Sequence, residues 1–184
     1  MAFGITGKYI GSDGKPIEFA APYAERKAKI ASFPDHSIQI ILIYAHGAPG
    51  LIGDDDVDGL ARMLQNKMMV NGQIHLLGCS TAGIEAHFWN PIGGIGLLLR
   101  TIMYHGMMKM MGEDKIAEKW ADNLAGDLSN RIPGVYVLGL SGISFPLSRA
   151  VTVFDKTAYL EGYSPKALMA DRFVYYNGRL ANLP

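Results

Sequence analysis

Apolar residues in this chain gather into short runs separated by turn-forming residues. The run Ile38-Gln-Ile-Ile-Leu-Ile-Tyr-Ala45 is nearly continuous and does not alternate with polar positions. That pattern predicts a strand buried on both faces, as in the interior of a parallel sheet. Gln73-Ile-His-Leu-Leu77 reads the same way, and so does Val135-Tyr-Val-Leu-Gly-Leu140 after Pro133-Gly134. Between the first two runs, Val57, Leu60, Ala61 and Leu64 recur at spacings of three and four, which predicts a helix. Asp54, Asp55 and Asp56 stand at its start, where carboxylates suit the positive end of the helix dipole. Asn71-Gly72 is expected to end it. Strand, helix and strand with short connections form a βαβ unit.

The flanks add further elements. Residues 3–19 read as a hairpin around Gly11-Ser-Asp-Gly14. Pro22 to Ser32 suits a short helix. Residues 114–130 place Ile116, Ala117, Trp120, Leu124 and Leu128 on one side of an amphipathic helix. Residues 144–155 and 172–180 read as strands, with Asn177-Gly178 as a turn. The expected fold is α/β: one domain over 1–184, a mostly parallel central sheet flanked by helices, and β-hairpins at both termini. No internal repeat, low-complexity tract or interdomain linker interrupts it.

Composition narrows the function classes. The 184 residues are 49% hydrophobic and 18% charged, enough for a substantial core. Seventeen basic residues balance seventeen acidic ones, so the electrostatic footprint of a general nucleic-acid binder is missing. A single cysteine, Cys79, excludes an intrachain disulfide framework. It fits a reducing compartment, or a thiol kept for its reactivity. The first residues lack the basic and apolar regions of a secretory signal peptide. The expectation is a cytoplasmic protein, or one exported by a specialised route.

The candidate chemistry sits where two strand-like runs end. The first runs into His46-Gly47 and the second into Gly78-Cys79. In open α/β sheets, ligands lie outside the carboxyl ends of the strands. A thiol attacks a carbonyl as its thiolate, and a neighbouring imidazole can take its proton and later protonate a leaving amine. The amides of Gly47 and Cys79 are candidate donors to the developing oxyanion. Glycines at 47 and 78 let backbone and substrate approach closely. Taken singly, Cys79 reads as a buried core thiol and His46 as a loop histidine bonded to a carbonyl. Their joint placement at strand ends favours a catalytic dyad.

Tyr44-Ala-His46-Gly47 and Leu76-Leu-Gly78-Cys79-Ser80 together resemble the caspase-like cysteine peptidases. That group includes caspases, legumain, clostripain, gingipains and the self-cleaving cysteine protease domains of large bacterial toxins. The toxin domains are the most similar, through the Gly-Cys-Ser segment. The resemblance covers residues 38–140 in order of elements, but only the two motifs in residue identity. It implies a thiol endopeptidase, bacterial effector or toxin-processing domain acting on a polypeptide. It implies Cys79 as nucleophile, His46 as base, Gly47 and Cys79 as oxyanion donors, and Gly78, Ser80 and Ser141 along the substrate. His46 and Cys79 stand 33 residues apart, against about 50 in caspases. A single helix with tight loops fits that gap. The Gln that precedes Ala-Cys in caspases is missing. The toxin domains bind inositol hexakisphosphate on a basic cluster; the bases here are scattered, so no cofactor is carried over.

Other residues carry bland readings. His75 reads as a core or helix-facing histidine. His87 and His105 have no partners at metal-ligand spacing, so no metal site is expected. Asp54, Asp55, Asp56 and Asp58 resemble a calcium loop only in charge, and a capped, solvated helix start is favoured. Gly93-Gly94-Ile-Gly96 lacks the Lys-Ser/Thr of a phosphate loop. Residues 88–111 hold only Arg100 and Lys109 as charges. They are read as core and groove lining, as a docking surface for a protein partner or a second copy through the Met cluster at 107, 108, 110 and 111, or as contact with a membrane surface without spanning it. Those last two uses define the alternative function, a non-catalytic interaction protein on the same scaffold. A third class is another thiol-dependent acyl-transfer hydrolase. Asp155, Glu161 and Asp171 are candidate carboxylates for a basic substrate side chain.

Overall fold

The computed structural model describes residues 3–48, 50–78, 81, 123–140 and 172–184. In chain order the described elements are β1 (Gly4–Ile10), β2 (Pro16–Pro22), a 3₁₀ turn (Tyr23–Glu25), α1 (Arg26–Ala31), β3 (Ile38–Tyr44), β4 (Gly47–Ala48) and β5 (Leu51–Ile52). Then come α2 (Val57–Leu64), β6 (Met68–Leu76), α3 (Leu124–Arg131), β7 (Tyr136–Leu140), β8 (Arg172–Tyr176) and β9 (Arg179–Ala181). Seven strands form one sheet in the order β2-β1-β3-β6-β7-β8-β9, and β4 and β5 form a separate two-stranded ribbon.

The fold class is α/β, with a sheet that is mixed rather than mostly parallel. β3, β6 and β7 run parallel in its centre, with Ile41 opposite Ile74 and Ile74 opposite Val137. The pairings β1–β2, β1–β3, β7–β8 and β8–β9 are antiparallel. The turns at 11–15 and 177–178 help explain the difference. Links that short join antiparallel neighbours, whereas parallel neighbours need a crossover of a dozen residues or more. The crossover through α2 supplies that length between β3 and β6.

Asn71-Gly72 does not end the helix. α2 stops at Leu64 and β6 begins at Met68, so the dipeptide lies inside the strand. There the register against β3 jumps from Ile38–Met68 to Ile40–Gln73. Asn71 takes φ 61°, a left-handed conformation that Asn tolerates. A Cβ on Gly72 would stand 2.8 Å from the Met69 carbonyl oxygen. Asn-Gly serves a bulge by the same property that serves a helix end, so the dipeptide alone does not separate the two.

The three described helices bury one face of the sheet. Ile30 of α1, Leu60 and Leu64 of α2, and Leu124 and Leu128 of α3 pack with Ile5, Ile41, Ile43, Ile74, Leu76, Val137 and Tyr175. Asp56 caps α2, accepting from the Gly59 amide at 2.7 Å. Asn123 caps α3, accepting from the Gly126 amide at 2.9 Å, while its side-chain amide donates to the Tyr175 hydroxyl at 3.0 Å. On the other face Leu77, Leu138 and Leu140 form a smaller cluster against Leu42, Tyr44, Val174 and Leu183. The central strands are therefore apolar on both faces, which is why their sequence does not alternate. Residues 82–122, with the apolar stretch 88–111, fall outside the described residues, as does the strand expected at 144–155.

Burial separates positions that matter from those that do not. Ile43 is fully buried in the central strand, and Val70 is 76% exposed beside the bulge. Ile43→Ala should lower unfolding free energy by about 2–5 kcal/mol. Val70→Ala should change it by less than about 0.5 kcal/mol. Urea titration of both variants checks the contrast.

Candidate functional site

Parallel pairing brings the carboxyl ends of β3, β6 and β7 to one edge of the sheet. The ladder continues past β6 as the Leu77 amide donates to the Ile43 carbonyl at 2.8 Å. Beyond that bond the two chains touch. A Cβ built on Gly78 would stand 2.8 Å from the Gly47 Cα, 3.0 Å from the Gly47 nitrogen and 3.2 Å from the Ala45 carbonyl oxygen. Real Cβ atoms do not approach so closely, so Gly78 permits a backbone contact that other residues would prevent. Residues next to His46 and next to Cys79 in sequence are thus packed on each other. Cys79, Ser80 and Ser141 themselves lie outside the described residues.

His46 is exposed, with its ring edge against the Phe3 ring, centroids 4.5 Å apart at 61°. Phe3, in turn, lies 6.0 Å from the Tyr44 ring. After His46 the chain folds back as the β4–β5 ribbon. Gly47 pairs with Ile52, Ala48 pairs with Leu51, and the Gly53 amide donates to the His46 carbonyl at 2.6 Å. The Ile52 amide donates instead to the Asp55 carbonyl at 3.0 Å. Hydrogen-bonded and non-bonded pairs alternate along an antiparallel ribbon, so the Gly47 N–H points out of this one.

A buried polar cluster underlies the ribbon. Arg26 is 4% exposed and Asp55 2%. The Arg26 guanidinium donates through Nε to Asp55 Oδ2 at 2.5 Å, through a terminal nitrogen to Asp54 Oδ1 at 2.5 Å, and to the Tyr23 carbonyl at 2.9 Å. Lys27 Nζ stands 3.5 Å from Asp55 Oδ1. The Tyr23 hydroxyl lies 2.6 Å from the Ile52 carbonyl oxygen and 3.0 Å from Asp55 Oδ2. Gly53, at φ 61°, rests on the Tyr23 ring so closely that any Cβ there would collide with it. The expected solvated helix start is therefore corrected at Asp55. Asp56 caps the helix and Asp54 is exposed, but Asp55 turns inward to Arg26. An Arg 29 residues upstream gives no local sign of that pairing.

These contacts fix the charge states. Burial raises the Asp55 carboxyl, but the hydrogen bond and charge of Arg26, with help from Tyr23 and Lys27, hold it below the usual carboxylate range. Burial, then Asp55, pushes the Tyr23 hydroxyl well up, so it keeps its proton.

The other side of the site is tied by Thr81, which is fully buried. Its hydroxyl lies 3.0 Å from the Leu76 carbonyl and 3.3 Å from the Gly78 carbonyl, and accepts from the Leu140 amide at 3.0 Å. Its carbonyl accepts from the Ala125 amide at 3.0 Å. One residue therefore links the ends of β6 and β7 to the start of α3. Sequence reasoning passed over Thr81, Tyr23 and Arg26. The only available signal was the polar residue three positions after Gly78.

His75 is buried, with Nε2 3.1 Å from Gln73 Oε1. Its neighbours Ile74 and Leu76 face the helices, so alternation puts His75 on the opposite face. It is a buried histidine on the face opposite the three described helices. Among the described residues no group of His, Cys, Asp or Glu could hold a metal ion, and no helix is long and apolar enough to cross a membrane. His87, His105, Gly93-Gly94-Ile-Gly96, Asp155, Glu161 and Asp171 fall outside the described residues.

Two outcomes follow. Thr81→Val keeps the side-chain shape but leaves the buried Leu140 amide without its acceptor, and should cost about 1–3 kcal/mol in urea unfolding at pH 7. Asp55→Asn should cost about 3 kcal/mol at neutral pH, because the buried Arg26 loses its charged partner. A carboxyl lowered on folding contributes stability above its unfolded value, near 3.9, and loses it as pH falls through the lower folded value. The gap between wild type and Asp55→Asn should therefore hold from pH 7 to pH 5 and narrow below about pH 4. Parallel unfolding curves across that range test it.

Comparison with protein-family models, with curated proteins and with solved structures found no match for this chain.

Proposed function

We propose that the chain is a cysteine endopeptidase of the caspase-like type, one domain in which Cys79 attacks and His46 manages the proton. The observation that carries this reading is the contact of Gly78 on Gly47 at the carboxyl edge of β3 and β6. It joins the chain leading into Cys79 to the residue that follows His46, beyond the point where the β3–β6 ladder ends. An exposed imidazole and Thr81 just beyond Cys79, tying down the strand ends, support the same reading.

The chemistry follows from these roles. His46 withdraws the thiol proton, and the Cys79 sulfur forms a bond to the carbonyl carbon of the scissile peptide. The oxygen takes the negative charge, facing the Gly47 N–H that points out of the ribbon and the Cys79 amide. Collapse breaks the C–N bond, and His46 gives its proton to the departing amine. Water then attacks the thioester, with His46 taking its proton, and releases the acid and the free thiol. Gly78, Ser80 and Ser141 lie along the substrate in this scheme. Ser141 is the residue after β7, whose last amide is held by Thr81.

Cleavage of a peptide library, read by mass spectrometry, tests the assignment. Cys79→Ala should abolish turnover with an unchanged circular dichroism spectrum, and His46→Ala should lower kcat/KM by about 10²–10⁴-fold. Cleavage that persists in Cys79→Ala would sink the peptidase. Absence of cleavage together with a Cys79 that alkylates no faster than a free model thiol would favour the interaction protein. Turnover of a small thioester alone would favour the acyl-transfer hydrolase.

A further inference from the structure

We infer that Tyr23, Arg26 and Asp55 are positioning residues for His46, acting through the β4–β5 ribbon; the catalytic consequence rests on the peptidase reading above, but the mechanical one does not. His46 is exposed, and its ring meets the Phe3 ring edge-on. Its backbone position is set from behind. The path is short and continuous. Arg26 and Asp55 form the buried base. Asp55 reaches the Tyr23 hydroxyl, which also binds the Ile52 carbonyl. Ile52 stands opposite Gly47, and its neighbour Gly53 donates its amide to the His46 carbonyl. The Tyr23 ring also fills the space beneath Gly53, so the ribbon can sink no further.

The cluster is larger than helix capping requires. Asp56 already caps α2 through its own carboxylate. Asp55 makes no bond to the first turn of α2; its acceptors face Arg26, Tyr23 and Lys27. A buried guanidinium–carboxylate pair of this kind is a weak source of net stability, since desolvation of both ions offsets their attraction. It is a strong source of geometry, because the planar Arg fork accepts few arrangements. What that geometry fixes is the turn carrying Ile52 and Gly53 back to His46.

Tyr23→Phe is the decisive variant. It removes the bonds to Ile52 and Asp55 but keeps the ring under Gly53 and the Arg26–Asp55 pair, so the protein should still fold. Three readouts apply to the full chain. Hydrogen exchange of the Gly53 amide should speed up by about tenfold. The contact between the Phe3 and His46 rings, seen as a nuclear Overhauser effect, should weaken. In peptide cleavage kcat should fall by about tenfold with KM within twofold, the pattern of a misplaced reacting group rather than a lost binding contact. Asp55→Asn should act in the same direction, and Arg26→Lys should retain more of the wild-type exchange rate than Arg26→Ala. Unchanged Gly53 exchange and an unchanged Phe3–His46 contact in both Tyr23→Phe and Asp55→Asn would overturn the inference, and so would a rise in KM with kcat unaltered. If wild type cleaves nothing, the peptidase reading fails alone, because exchange and ring contact need no turnover and still decide whether the cluster positions His46.

Discussion

The close approach of Gly78 to Gly47 is the constraint on which the rest of the edge depends. Parallel pairing alone would let the chains leaving β3 and β6 diverge, as they do in most open sheets where connections fan out over the helices. Here the ladder persists one bond past β6, and then the two backbones touch with no side chain between them. That geometry requires glycine at 78, where a Cβ would strike Gly47. It also requires the chain after β3 to turn back immediately, and the β4–β5 ribbon accomplishes that turn. The Thr81 bonds that hold β6 to β7 and the cluster beneath the ribbon flank this contact on its two sides.

The two halves of the edge are held by different forces. Thr81 works through neutral hydrogen bonds among backbone groups that are fully buried. Such bonds contribute modestly when made, but are costly to leave unmade, since a buried amide without an acceptor loses its hydration for nothing. The His46 half relies on ions. Arg26 and Asp55 are nearly as buried as Thr81, and the balance between desolvation and attraction leaves little net stability. The ionic half therefore specifies more than it stabilises. Its charge state also depends on a carboxylate, whereas the bonds at Thr81 are made by a hydroxyl and backbone groups that do not titrate.

Much of the fold was legible in the sequence, and the reason is periodicity. The unalternating runs at 38–45 and 135–140 become central strands because burial on both faces removes the need for polar positions. The spacing of Val57, Leu60, Ala61 and Leu64 gives α2 its buried face. Strand-end placement predicts His46-Gly47 and Gly78-Cys79 at one edge; the structure brings Gly78 onto Gly47 there, while Cys79 lies outside the described residues. The misreadings share a cause. Asn71-Gly72 marks a positive φ without saying which element needs it. The three aspartates look alike in sequence, yet only position 55 points inward, because its partner comes from α1, about thirty residues earlier. The parallel character of the sheet was overstated since the central runs say nothing about the direction of strands outside them. Long-range polar pairing and strand direction are tertiary facts, and neither leaves a local pattern.

An exposed histidine is a poor general base unless its backbone is held, because a ring on a mobile loop samples many positions that cannot reach a thiol. Misplacement by an ångström can cost orders of magnitude in rate. The protein faces a conflict here. In the proposed peptidase the imidazole must meet substrate, so it cannot be locked by burial, and the glycine beside it must stay bare to admit Gly78. Fixing both from the opposite side of the ribbon resolves the conflict. A rigid aromatic ring under Gly53 and a planar guanidinium under Asp55 supply order without occupying the exposed face of His46. The arrangement places the conformational constraint in residues distant from His46 in sequence, which is why no motif around His46 announces them.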